Sequence, residues 1–136
     1  MSCKNNKEKR KEIVSEKIEQ FYKKQAEWNS LTQRILKDPF AISNQGKFTY
    51  PKDLDNALSK ELNEKKIKWI SVGVSSECKT VEYGTEYEYP IGTLHLTWTT
   101  CDPKQTERGF YQSDSSFIEI YGIGNNWLIW TDGDPI

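Results

Sequence analysis

The chain has 136 residues, 35% of them apolar and 12% aromatic, and a net charge of −1. It is too aromatic for a disordered protein and too polar for a membrane one, and no run approaches the roughly 18 to 20 apolar residues a spanning helix needs. Its length fits one domain able to bury about two-thirds of the surface the unfolded chain exposes.

Charge is unevenly spread. Residues 1–24 hold eight Lys or Arg against four Glu, whereas residues 77–136 hold ten Asp or Glu against Lys79, Lys104 and Arg108. The acidic half repels a phosphate backbone, which speaks against a nucleic-acid partner.

In chain order, residues 1–12 are too polar to pack and read as a tether, leaving 13–136 as a single α+β domain. Over 5–37 the stripe Val14, Ile18, Phe21, Trp28 and Ile35 predicts one long helix, ended by Asp38-Pro39 because proline disfavours helical geometry in the residue before it. "NQGKFTYP" (44–51) reads as a loop. Pro51 followed by Leu54, Leu58 and Leu62 at four-residue spacing predicts a second helix over 52–65.

From Ile67 the period changes to two. "IKWISVGVS" sets Ile70, Val72 and Val74 on one face and Ile67 and Trp69 on the other. "TVEY" and "YEY" follow, divided by Gly84. In "TLHLTWTT", Leu94, Leu96 and Trp98 alternate with Thr93, His95, Thr97 and Thr99. "GFYQ" is short, and "SFIEIYG" and "WLIWT" flank the turn residues "GIGNN". The expected fold is α+β: two N-terminal helices packed on a curved antiparallel sheet of five to six strands. The element order resembles that of cystatin and NTF2-like proteins, in which a helix lies in a curved sheet; no motif accompanies that likeness, and it transfers no site.

Three cysteines are present, without a CxxC pair. Cys78 and Cys101 both fall at strand ends, where either a disulfide or two separate thiols fits; a bridge requires an oxidising compartment. Ser2-Cys3 and the polar run "KNNKEKR" resemble the junction of a bacterial lipoprotein after removal of its signal peptide. That resemblance implies an acyl group on Cys3, membrane association through that lipid alone, and a periplasmic or outer-membrane location that leaves Cys78 and Cys101 to pair. A cytoplasmic chain with three thiols is the alternative.

Candidate chemistry is sparse. His95, the lone histidine, has no nucleophile pattern beside it and reads as an exposed or hydrogen-bonded strand residue. Glu86 and Glu88 read as a solvated strand edge before a glycosidase pair. Asp132 and Asp134 fall short of a calcium loop, and neither a cofactor nor a metal is expected. Tyr83, Tyr87 and Tyr89 among those glutamates suit binding anchors, and both faces of "WLIWT" are apolar, adding Trp127.

The expectation is therefore a non-catalytic binding protein of the cell envelope. Tyr83, Glu86, Tyr87, Glu88, Tyr89, Trp127, Asp132 and Asp134 are its candidate binding residues. An inhibitor or immunity-type protein with a basic protein partner is its concrete form. The alternative is a pocket protein for an apolar small molecule, its pocket lined by Trp69, His95, Trp98 and Trp130.

Overall fold

The computed structural model describes residues 6–112 and 118–133. Within them lie α1 (Asn6–Lys23), α2 (Gln25–Leu36), α3 (Pro39–Ser43) and α4 (Asn56–Glu64). The strands are β1 (Phe48–Thr49), β2 (Trp69–Val74), β3 (Lys79–Gly84), β4 (Thr93–Thr99), β5 (Gly109–Gln112), β6 (Ile118–Gly124) and β7 (Trp127–Asp132). They form one open antiparallel sheet in the order β1-β2-β3-β4-β7-β6-β5, against which the N-terminal helices pack. The α+β expectation holds, with seven strands in place of five or six. The extra strand is β1, two residues inside the expected 44–51 loop, paired Phe48 to Ser71 and Thr49 to Ile70. Two residues are too few to show a period.

The stripe expected over 5–37 is broken at Lys24, where φ of −119° and ψ of 18° leave helical geometry. Val14, Phe21, Trp28 and Ile35 recur every seven residues and are all buried. A straight α-helix drifts roughly 20° per heptad, and the break restarts α2 in phase with the sheet. The expected tether is corrected from Asn6 onward, where α1 begins. Arg10 is 7% exposed, donates from Nε to Pro90 O at 2.8 Å and lies 3.6 Å from Glu119. Polarity hid this, because an arginine stem packs while its guanidinium finds partners.

The second expected helix is also shorter. Pro51–Asp53 make a 3-10 turn, Leu54 is extended, and α4 starts after Asp55, whose Oδ1 accepts from Leu58 N at 2.9 Å. An N-cap aspartate satisfies a helix-end N–H and so fixes the start. Leu58 and Leu62 then face the core.

On the helix-facing side of the sheet, Ile70, Val81, Tyr83, Leu96, Trp127 and Ile129 are buried together. Phe21 and Trp28 reach Trp127 at ring-centroid distances of 4.9 and 6.3 Å, and Trp28 meets Tyr83 edge-on at 5.1 Å. The aromatic tips are paired: Trp127 Nε1 donates to Asn29 Oδ1 at 2.8 Å, and the Tyr83 hydroxyl shares a 2.7 Å hydrogen bond with Thr32. Burial pushes the Tyr83 phenol well above its ordinary range, and burial beside Glu119 does the same to Tyr121. Tyr83 and Trp127, expected as binding residues, are therefore corrected to core residues. Tyr83 pairs with Leu96, which fixes it to the apolar phase of β4.

"YEY" is not a strand. Residues 85–92 are a loop with one bridge, Glu88 to Gly92. Glu86 and Glu88 are exposed there, and Glu88 lies 3.4 Å from Lys17 Nζ. The 125–126 turn joins β6 to β7, with positive φ at Asn125 and Asn126.

Cys78 and Cys101 form a disulfide, their Cα atoms 5.1 Å apart across a sequence separation of 23. Cys78 precedes β3 and Cys101 follows β4, and the Thr80–Thr99 pairing brings both to one end of the sheet. The bridge anchors the start of loop 100–108. That loop lies over the face opposite the helices: Thr106 O accepts from Gly124 N at 2.7 Å, and a Cβ on Gly122 would collide with the carbonyls of Gln105 and Glu107.

Candidate functional site

The face of the sheet opposite the helices is half-exposed, and lateral pairing draws a single row across it. Trp69 pairs with Gly84, Gly84 with His95, His95 with Trp130, Trp130 with Ile120, and Ile120 with Tyr111. Phe48 extends the row from β1 by stacking on Trp69 at 4.2 Å. Gly84 is required for it, since a Cβ there would fall inside the Trp69 indole. The indole thus reaches across β3 to within 5.5 Å of the His95 ring. His95 in turn lies parallel to Trp130, centroids 3.5 Å apart and planes 4° apart.

The row sets two carboxylates against one histidine. His95 Nδ1 is 3.0 Å from Glu82 Oε1, and Nε2 is 3.7 Å from Asp132 Oδ2. Both distances suit ion pairs with a protonated ring, but neither is aligned as a hydrogen bond. Both His95 nitrogens, Glu82 Oε1 and Thr97 Oγ1 are buried with no hydrogen-bond partner among the described residues. His95 is only 6% exposed, so the expectation of an exposed or hydrogen-bonded histidine is corrected: stacking, not hydrogen bonding, holds it. Asp132 Oδ1 accepts from Thr93 N at 3.3 Å. Among the described residues no lysine or arginine pairs with Glu82 or Asp132.

Beside the row is a groove of about 400 Å³. Thr80, Thr97 and Thr99 give it a polar floor, Leu128, Ile120 and Trp130 an apolar wall, and Glu82 and Asp102 two carboxylates. Asp102 and Gln105 belong to the loop that the disulfide anchors, so the cross-link shapes one end of the groove.

As chemistry, this arrangement suits recognition better than bond-making. A histidine between carboxylates can hold a proton, but acyl or glycosyl transfer by covalent catalysis needs a nucleophile beside it. Cys78 and Cys101 are tied up in the disulfide, and Ser75 Oγ is engaged with the Cys78 backbone. Among the described residues no group of three or more His, Cys, Asp or Glu side chains is placed to hold a metal.

The residues expected from sequence do not converge on one site. Trp69, His95 and Trp130 share the open face, whereas Trp98 pairs with Trp127 and packs against the helix-side core. They therefore do not line one pocket. Tyr87 and Tyr89, 52% and 65% exposed, stand with Glu86 and Glu88 on the 85–92 loop. Cys3 and Asp134 lie outside the described residues. Sequence reasoning missed Phe48, Glu82 and Thr97 as site residues. Glu82 and Thr97 carried a usable signal, each occupying the polar phase of an alternating strand. Phe48, in a two-residue strand, carried none.

On the helix side a cavity of about 280 Å³ opens where α1 passes into α2, with Phe21, Trp28, Leu96 and Ile129 inside and Lys17, Lys24 and Lys65 at its rim. Among the described residues no helix is long and apolar enough to cross a membrane. No family model, no curated protein and no solved structure matches this chain.

Proposed function

We propose that the chain is a non-catalytic binding protein of the bacterial cell envelope, an inhibitor or immunity-type protein that engages a basic protein partner through the open face of its sheet. The observation that carries this reading is the aromatic row Phe48, Trp69, His95 and Trp130, laid beside Glu82 and Asp132, which share His95 and among the described residues pair with no lysine or arginine. Aromatic side chains give large contact area with little entropy lost, and two carboxylates sharing one histidine steer and select a cationic surface. The disulfide supports an oxidising compartment. Lipidation at Cys3 is the means of attachment in this reading.

Peptide-display selection on the disulfide-bonded chain tests it. Enrichment of Arg- or Lys-rich sequences, with binding at least tenfold weaker in Trp130→Ala and in Glu82→Lys, is the expected result. Winners without positive charge, or winners indifferent to both substitutions, overturn it. Labelled palmitate incorporated by the native host and lost in Cys3→Ser tests the attachment. A second reading, a pocket protein for an apolar small molecule, draws on the helix-side cavity. At about 280 Å³ that cavity falls just below the roughly 300–1,000 Å³ of ordinary ligand sites, and it ranks second.

A further inference from the structure

The groove beside the row is more specific than an acidic surface. Its floor holds Thr97, 7% exposed, whose Oγ1 has no partner, whereas the neighbouring Thr99 Oγ1 is shared with Thr80 at 2.8 Å. Glu82 Oε1 is likewise buried and without an aligned hydrogen bond; its one near neighbour is His95 Nδ1 at 3.0 Å. Natural folds seldom leave polar atoms so incompletely paired, because each costs the desolvation of the group. Here the Thr97 hydroxyl and the Glu82 carboxylate lie together in one groove. Asp102 supplies a second carboxylate at the loop end, Leu128 and Ile120 supply an apolar wall, and among the described residues no lysine or arginine lines the groove.

An occupant must therefore offer several N–H or O–H donors, a positive charge, and an apolar stem. It must also fit beside the flat indole of Trp130. A guanidinium meets all four demands: it is always charged, donates in a planar fork that matches a carboxylate, and stacks on aromatic rings. An ammonium is a point charge that stacks poorly and uses a carboxylate less fully.

We infer that this groove takes the side chain of one arginine presented by the protein partner, with its guanidinium on Glu82 and Thr97 and its stem along Leu128 and Ile120. This rests on the partner reading above and adds to it the residue that would anchor the complex. A buried arginine paired with carboxylate in a desolvated pocket is the kind of contact that dominates an interface.

The test uses isotope-labelled, disulfide-bonded chain and NMR titration with blocked single amino acids: N-acetyl-arginine methylamide, its citrulline counterpart and its lysine counterpart. The arginine probe is expected to shift the amides of Thr97, Thr99 and Leu128 and the Trp130 indole. Citrulline, which keeps the shape and loses the charge, is expected to bind at least tenfold more weakly, and lysine several-fold more weakly. Glu82→Gln is expected to reduce arginine binding at least tenfold, and Thr97→Val several-fold, each variant first shown folded by its melting curve. Should Glu82→Gln not fold, Asp102→Asn on the surface loop gives an independent loss of charge with the same expected direction.

Equal binding of arginine and citrulline overturns the inference, as do shifts confined to another surface. Free L-arginine binding tenfold tighter than the blocked form would make the site one for the amino acid, which also overturns it. The two readings fail separately. Basic peptides that bind the open face while leaving Thr97 and Leu128 unshifted sink the groove and spare the partner. Blocked arginine seated in the groove, with no basic peptide retained by the face, does the reverse.

Discussion

The two faces of this sheet are cut from the same alternating strands, and both are rich in aromatic rings, yet they differ in how far their polar atoms are paired. On the helix side, the Tyr83 hydroxyl meets Thr32, Trp127 Nε1 meets Asn29, and Glu119 Oε2 accepts from the Tyr121 hydroxyl; Glu119 Oε1, without a hydrogen bond, faces Arg10 at 3.6 Å. On the open side, the buried His95 and Thr97 and the half-buried Glu82 keep atoms that have no hydrogen bond among the described residues, although Glu82 Oε1 lies 3.0 Å from His95 Nδ1. The difference teaches where folding ends and function begins. A face that pairs most of its polar atoms from within serves stability, and one that gathers several buried polar atoms without hydrogen bonds keeps capacity for something outside the chain.

The sharpest way to break that comparison is to remove one tryptophan from each face. Trp127 is fully buried beneath Phe21 and Trp28, so Trp127→Ala is expected to cost about 3–5 kcal/mol in urea unfolding. Trp130 is half-buried on the open face, and Trp130→Ala is expected to cost about 1 kcal/mol. Similar losses for both would mean that the open face is a second core, not a binding surface.

The disulfide comes next. Replacing both Cys78 and Cys101 by Ala is expected to lower stability by about 3 kcal/mol, the value for a closed loop of this size. Its local signature separates it from a core defect. Amide exchange is expected to quicken first in loop 100–108, which shapes the groove, and last around Trp127. Uniform loss of protection would deny the bridge its role at the open face.

Tyr83→Phe sharpens the covered side. It leaves Thr32 Oγ1 buried without its partner, a loss of about 1–2 kcal/mol near neutral pH. The pH dependence has a definite sign. The folded state raises the phenol above its ordinary value of about 10, so the neutral form is the one the fold favours. Stability from this source is complete below that ordinary value and is lost as pH rises beyond it towards the raised one. Tyr121, raised by burial and by Glu119, acts in the same window. Wild-type unfolding midpoints are therefore expected to fall steeply on the alkaline side of that value, and Tyr83→Phe and Tyr121→Phe each to flatten the fall. Parallel profiles for wild type and both variants would show that neither phenol is held neutral by the fold.

Much of the covered side was legible in the sequence because burial there follows one period over many residues. The alternation through Leu94, Leu96 and Trp98 placed β4, and Val14 to Ile35 placed the helical stripe. The break at Lys24 was not, since no proline or glycine marks it and its cause is the phase of a distant sheet. Arg10 was misread for a related reason: its partners Pro90 and Glu119 are far away in sequence. The open face was legible only in fragments. Trp69, His95 and Trp130 stood out by residue type, but the row they form depends on strand order, which places β7 beside β4 and ahead of β6. Nothing local in the chain states that order, and without it Tyr83 reads as a binding residue when it is a core one.

The smallest stability effect belongs to Gly84→Ala, and it probes the row most directly. Gly84 has ordinary extended backbone, so an alanine there brings no φ penalty and even gains some strand preference. Its nearest conflict is with the indole of Trp69, a side chain that is half-buried at the open face and held there by ring contacts with Phe48 and His95. Stability is expected to stay within about 1 kcal/mol of wild type. Trp69, displaced from Phe48, is expected to show red-shifted emission and an altered near-UV signal, while the His95–Trp130 stack on the far side of Gly84 persists. Basic-peptide binding is expected to fall several-fold, through loss of contact area at the Phe48 end of the row. A loss of several kcal/mol instead would show that Trp69 is locked over Gly84 as a structural keystone, and the open face would then have to be read as part of the fold's own stability.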